Sequence, residues 1–466
     1  MPVERFALCL SHVPDHVASV HGLLRCLRAV DRYVGLFAGG LCVDRIFLLP
    51  CGFCPTSAIA TTSHARRLVG PSEGVAMTST TKLYDRLVRG VNLDDDSTDA
   101  AIRITADYEP IGGWEGKLNP PTYPTDREHP VPYLIEKRFH AGEVEDIVLL
   151  DSRQSQANRS EEALQAAIDG GRFFLPHLAL EVESFGRAHR ITSLTAPHRS
   201  RDAYFRDAVT PAGTAFDKTE VGAALATVST GDATAMLRHS PVDLTLGVWD
   251  SHRELRLATK FPRSYTSEIV GHGVAQGHRA AGRADLIVSG AARVKVGEGK
   301  TWSLAEDKDT KGTKKLSELG HGSIPPSFTA TGGVSVQRVS RVATIGFAGI
   351  ARLGFASLDS AGARAARAVI ACIALAGDRL AFARPGLFLR SGCELALTSE
   401  SLSWVGTEQE SFVLDRGVAV DLLVHAIERL SAAGVGWDGE PVRLIPGAEL
   451  QKAIDRAFFS QPADEE

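Results

Sequence analysis

Lysine is missing from the first 76 residues of this 466-residue chain; the first one is Lys82. The same stretch holds Cys9, Cys26, Cys42, Cys51 and Cys54, after which only Cys372 and Cys393 follow. So abrupt a change of composition marks a boundary. We read residues 1–76 as an N-terminal extension upstream of a native start at Met77, and 77–466 as the folded protein. The scarcity of cysteine after Met77 excludes a disulfide scaffold and fits a reducing cytoplasm. The Cys51–Cys54 pair has no second CxxC or spaced histidine pair to complete a zinc site, and no strand and helix frame it as a redox motif.

Other absences narrow the function. No uninterrupted apolar run reaches the roughly 18 residues that a membrane helix needs. Aromatic residues make up only 7% of the chain, which weakens any model built on base stacking. No G-x-S-x-G elbow is present. The Gly299-Lys300-Thr301 end of a phosphate-binding loop lacks its first glycine, because Val294 stands six positions before the lysine. His272 and His278 lack the helical spacing of a zinc motif, and Glu268 is the only carboxylate close to them in sequence. His321 is a lone histidine with no base-like partner. We therefore expect no catalytic residue, no metal and no cofactor. The net charge of −5 argues against a uniformly basic nucleic-acid binder but leaves room for a locally basic groove.

What the chain does contain is two motif-dense segments about ninety residues apart. The first is DSRQSQANRSEEALQAAI, Asp151–Ile168. A compact strand, Asp146–Leu150, feeds a helix capped by Asp151 or Ser152, with Ala157, Leu164, Ala167 and Ile168 on its inner face. Unpaired N–H groups at a helix start attract phosphate. Ser152, Gln154 and Ser155 add side-chain donors there, with Asn158 and Arg159 a turn further on. The second segment, Gly247–Val288, carries Lys260, Arg263, Arg279 and Arg283 among glycines that permit close backbone approach. Such cations neutralise phosphates, and that neutralisation usually dominates nucleic-acid affinity.

The remaining pattern is mixed. Ile102–Tyr108 alternates as a strand, and Gly112–Pro132 is a loop. Leu178–Glu183 with Arg190–Leu194, and Leu387–Leu397, read as strand pairs. Asp243–Trp249, Ala284–Ser289, Val334–Val339 and Val342–Ile350 read as strands. Ala361–Ala376 and Val418–Ala433 read as helices, and Val296–Pro326 as a polar, lysine-rich excursion containing Lys308, Lys311, Lys314 and Lys315. This order predicts an α+β domain with large insertions.

Three stretches in this order, DSRQSQANRSEEAL, GVWDS…ATKFPRSYTSEIVG…RAAGRADLI and KKLSELGHGSIPPS…GGVSVQRV, resemble the CRISPR-associated RAMP backbone subunit of type I-U (I-G) Cascade complexes. The resemblance implies a modified ferredoxin-like (RRM-like) palm with thumb and finger insertions, the candidates being those near 185–217 and 296–326. It implies a non-catalytic scaffold that grips guide RNA through its phosphates and presents the bases to target DNA. The partners would be guide RNA, target DNA through guide pairing, further copies of the chain and other Cascade subunits, with no membrane. Ser152, Gln154, Ser155, Asn158 and Arg159 match the family's guide-contacting helix start. Lys260, Arg263, Arg279, Arg283 and Lys117 are the next candidates. Rival readings are a RAMP ribonuclease using Asp307 or Asp309, and an unrelated soluble enzyme.

Overall fold

The computed structural model describes residues 80–140, 142–249, 260–286, 292–297, 301–306, 311–329, 332–437 and 439–459. The reading of residues 1–76 and of Met77, the Cys51–Cys54 pair, Asp307, Lys308 and Asp309 lie outside them. In chain order the main elements are α1 (Thr80–Asn92), β1 (Asp99–Pro110), β2 (Ile135–His140), β3 (Glu143–Asp151), α2 (Arg153–Asp169), β4 (Tyr265–His272), β5 (Arg338–Gly346), α3 (Ser360–Phe382), β6 (Gly386–Arg390), β7 (Cys393–Gly406), β8 (Glu410–Phe412) and α4 (Arg416–Ala432).

The alternation in β1 organises the molecule. Ile102, Ile104, Ala106 and Tyr108 are buried on one face, while Arg103, Thr105 and Asp107 lie on the other. β1 pairs antiparallel with β5, placing Ile102 opposite Ile345, and with β7, placing Ile102 opposite Trp404. The resulting eight-stranded sheet has the order β6-β7-β1-β5-β4-β3-β2, with β8 added alongside β7. An antiparallel sheet can keep one face solvated, and this one carries α1 to α4 on the Ile102 face. Leu87, Leu164, Ile370, Ile373, Leu422 and Leu423 join Ile102, Ile345 and Trp404 in a single apolar core. Each such side chain stabilises the fold by about 1.5–3 kcal/mol on full burial. α3 is buried almost all round, which explains its alanine-rich, apolar composition.

A buried polar network locks α2 and α3 to the sheet. Arg341 of β5 and Asp378 of α3 form an ion pair with both side chains fully buried. Arg379 bridges Asp378 and Glu400, and the Tyr265 hydroxyl donates to Asp378 at 2.7 Å. The Gln156 carbonyl accepts from Ser267 at 2.7 Å and from Arg341 Nε at 3.1 Å. Charges removed from water this far are tolerable only when they are paired and hydrogen-bonded.

Several expectations need correction. Asp243–Trp249 is not one strand: Val242–Leu246 is a short helix that follows Pro241 and stops at Gly247 (φ 80°). All five of its residues are buried, so periodicity could not tell helix from strand. Around 284 the strand is Arg279–Arg283, before the predicted one; it pairs antiparallel with Ile324–Thr329, while Ala284–Leu286 are outside any strand and 287–290 lie outside the described residues. The runs Val334–Val339 and Val342–Ile350 are not one strand each: Val334–Ser335 pairs with Ala275–Gln276 in a separate sheet, β5 spans Arg338–Gly346, and Phe347–Ala351 is a helix. The lysine-rich excursion is not simply loop, since Arg293–Val296, Trp302–Leu304 and Lys314–Lys315 form a three-stranded sheet. Of the two insertions, 185–217 sends Phe205, Ala208 and Phe216 into the main core. The strands around 293–315 are mostly exposed, with Val294 and Leu316 buried beneath them.

Candidate anion-binding clefts

α2 begins as its sequence dictates. Ser152 is extended (φ −77°, ψ 164°) and its hydroxyl accepts from the Ser155 N–H at 3.2 Å. That cap uses the Ser152 oxygen and the Ser155 amide for the helix itself. Arg159 is also engaged: its Nε donates to the buried Asp151 at 2.9 Å, and its terminal nitrogens donate to the Phe388 and Leu389 carbonyls. Gln154 and Asn158 remain exposed, one turn apart on the same face.

These two side chains line a cleft of about 280 Å³ together with Glu161, Glu162, Arg199 and Arg263. Arg263 comes from the segment that leads into β4. Gly247, in a left-handed conformation, lets this segment pass: a Cβ there would sit 2.9 Å from both Arg263 N and Phe261 O. Arg263 is half-buried, and its guanidinium has no hydrogen-bond or ion-pair partner among the described residues. Burial, with Arg199 and Arg153 nearby, holds its pKa below the ordinary value. Gln154 and Asn158 likewise carry no side-chain hydrogen bond among the described residues. Glu161 is paired with Arg199 at 2.6 Å, yet burial pushes its carboxyl up to about 7.

A second cleft, of about 550 Å³, is lined by Lys117, Asn119, Tyr133, His278, Arg279 and Gly332 among others. Lys117 donates to the His278 carbonyl at 3.2 Å, tying the 112–132 loop to the strand that carries Arg279. A Cβ on Gly332 would lie within 2.4 Å of the Gly277 and His278 backbone, so only glycine closes this corner. Arg390 ties Asn119 of this cleft to the end of β3: it lies 3.7 Å from Asp151 and donates to the Leu150 and Asn119 carbonyls.

The structure thus gathers Gln154, Asn158 and Arg263 in one cleft and Lys117 with Arg279 in another. It leaves Lys260 apart, 5.8 Å from the Trp249 ring centre, and Arg283 bound to the Gly320 carbonyl at 2.8 Å. Sequence reasoning missed Glu161, Arg199, Asn119, Tyr133 and His278. Only Glu161 gave a local signal, an acid among the inward positions of α2. Glu145, not Glu268, is the carboxylate on His272, at 2.6 Å, with Ser340 on the other ring nitrogen at 2.8 Å. Ser340 sits in mid-strand, and no group of histidine, cysteine and acidic residues suited to a metal occurs among the described residues. No described helix is long and apolar enough to cross a membrane.

Residues 102–276 match the model of the family described as CRISPR-associated protein GSU0053 (Cas_GSU0053). The matched span runs from β1 to just past β4 and includes α2, Arg199 and Arg263. This part of the chain is therefore similar to CRISPR-associated proteins. No curated protein matches the chain.

Proposed function

From a chain whose central part resembles a CRISPR-associated family, we propose a guide-RNA-binding backbone subunit of a type I Cascade complex, of the I-U (I-G) kind. The observation that carries this reading is the convergence of Gln154, Asn158 and a half-buried, unpaired Arg263 in one cleft at the start of α2. Leaving a desolvated guanidinium unpaired is unfavourable, and an entering anion removes the cost. Amide and guanidinium donors grip phosphate without reading bases, as a scaffold for any spacer sequence requires.

In this reading the antiparallel sheet with helices on one face is the RAMP palm, a modified ferredoxin-like fold. The mostly exposed strands between Arg293 and Lys315 are its projecting arm. Lys117 and Arg279 form a second phosphate contact. Copies of the chain line up along one guide in the cytoplasm, alongside other Cascade subunits, and leave the bases free to pair with target DNA. The subunit itself is a non-catalytic scaffold. The ribonuclease alternative depends on Asp307 and Asp309, and no observation on the described residues favours it.

The test is nucleic-acid content. The chain is expressed with and without a repeat-spacer array and its processing subunit, and bound RNA is extracted and sized. Discrete guide-length RNA in a large multimer is the expected result. Protein free of nucleic acid under both conditions would overturn the reading.

A further inference from the structure

The first cleft holds an acid as well as cations, which raises a question of pairing. Glu161 is only 3% exposed and lies within electrostatic reach of both Arg199 and Arg263. A buried carboxylate is costly unless it is paired and hydrogen-bonded. Glu161 has taken Arg199, in a two-pronged contact of 2.6 Å from Nε and 3.1 Å from Nη2. The remaining arm of Arg199 donates to the Gly247 carbonyl at 2.9 Å. All three nitrogens of Arg199 are thus committed to the protein, and the residue is only 8% exposed. Its backbone is left-handed (φ 53°), a conformation that non-glycine residues adopt rarely and that the surrounding contacts must hold in place. Gly247, the glycine whose carbonyl Arg199 grips, is the one that abuts Arg263.

We infer that Arg199 is a positioning residue: by occupying Glu161 and bracing Gly247, it keeps Arg263 unpaired as the seat for one phosphodiester of the RNA backbone. Without Arg199, Glu161 turns to the next guanidinium, Arg263, and closes the seat from within. The inference rests on the RNA reading above, but its pairing logic is testable without RNA.

The test uses the full chain at a pH well above neutral, so that Glu161 is ionised, with two readouts. The first is binding of a fluorescein-labelled oligouridylate. Arg263→Gln and Arg199→Gln each weaken it about tenfold, as for one lost charge-assisted contact. The double variant Glu161→Gln/Arg199→Gln returns to within about twofold of the parent, since no acid remains to capture Arg263. A folded double variant no better than Arg199→Gln would overturn the inference, because Arg199 would then touch the phosphate itself. If Arg199→Gln alone does not fold, the folded double variant against the parent decides the same point. The second readout is phenylglyoxal labelling of Arg263, followed by peptide mass spectrometry. Arg263 is labelled in the parent, shielded in Arg199→Gln and labelled again in the double variant. Equal labelling in parent and Arg199→Gln would overturn the pairing. If the parent binds no oligouridylate but the labelling pattern holds, the RNA reading fails and the positioning role stands.

Discussion

Two regions of this protein carry their cations on very different supports. Around the first cleft, Arg199 and Arg263 are wedged against α2, the Gly247 turn and the start of β4, with Glu161 buried between them. In and beside the lysine-rich excursion, Lys311, Lys314 and Lys315 sit on short strands and turns open to solvent, and Arg283 spends an arm on the Gly320 carbonyl. The contrast teaches that burial, rather than charge count, makes a cation selective. A buried guanidinium is weakly screened and must find a partner, whereas an exposed lysine is already satisfied by water and salt.

The comparison breaks most visibly in stability. Arg199→Ala removes the two-pronged contact on Glu161 and the brace on the Gly247 carbonyl, with Arg263 left as a poorer replacement partner, and should cost about 1–3 kcal/mol in a denaturant titration. Arg283→Ala, at an exposed contact, should cost less than about 1 kcal/mol by the same measurement. A pH series sharpens the point. The folded-state pKa of Glu161 is raised from 4.5 to about 7, so its contribution to stability is full below 4.5 and is lost as pH rises through about 7. Glu161→Gln should flatten that part of the stability profile; an unchanged profile would mean that Glu161 titrates normally. Asp243, pushed up to about 6 by burial beside Ser200, adds to the same slope and survives in the Glu161 variant.

Smaller effects belong to binding. Arg263→Gln should weaken RNA binding about tenfold at every sequence tested without lowering the denaturation midpoint, since it removes an unpaired, half-buried charge. Sequence-dependent losses would point to base contacts instead. Alanine at Lys314 or Lys315 should lower the slope of log affinity against log salt by at most ~0.7 per lysine, the value for a single-strand phosphate contact, with little change in stability. A slope unaffected by either lysine would remove the lysine-rich excursion from the RNA path.

Much of the fold was legible because its signals are local. The alternation of Ile102, Ile104, Ala106 and Tyr108 showed β1 and its buried face. A cap at Asp151 or Ser152 and the apolar positions Ala157, Leu164, Ala167 and Ile168 showed α2, and the structure places the cap at Ser152. Where every residue of a short element is buried, as in Val242–Leu246, the pattern carried no face and the reading as a strand failed. The short strands of Arg293–Lys315 were hidden because each is only two to four residues long, too short for an alternating pattern to stand out.

The candidate site divides in the same way. Sequence alone determined that the start of α2 would present polar donors, because capping and helical periodicity act within a few residues of each other. It also determined that Arg263 would stand among glycines and small polar residues. Only tertiary structure decided which of those donors are available. Arg159 is drawn inward by Asp151 and the β6 carbonyls, Ser152 is consumed by its cap, and Gln154 and Asn158 are left to meet Arg263. Arg199 and Glu161 stand 38 positions apart, and Gly247 lies 48 beyond Arg199. Their pairing is a product of burial, since a low-dielectric interior forces a charge to find the partner that water would otherwise replace.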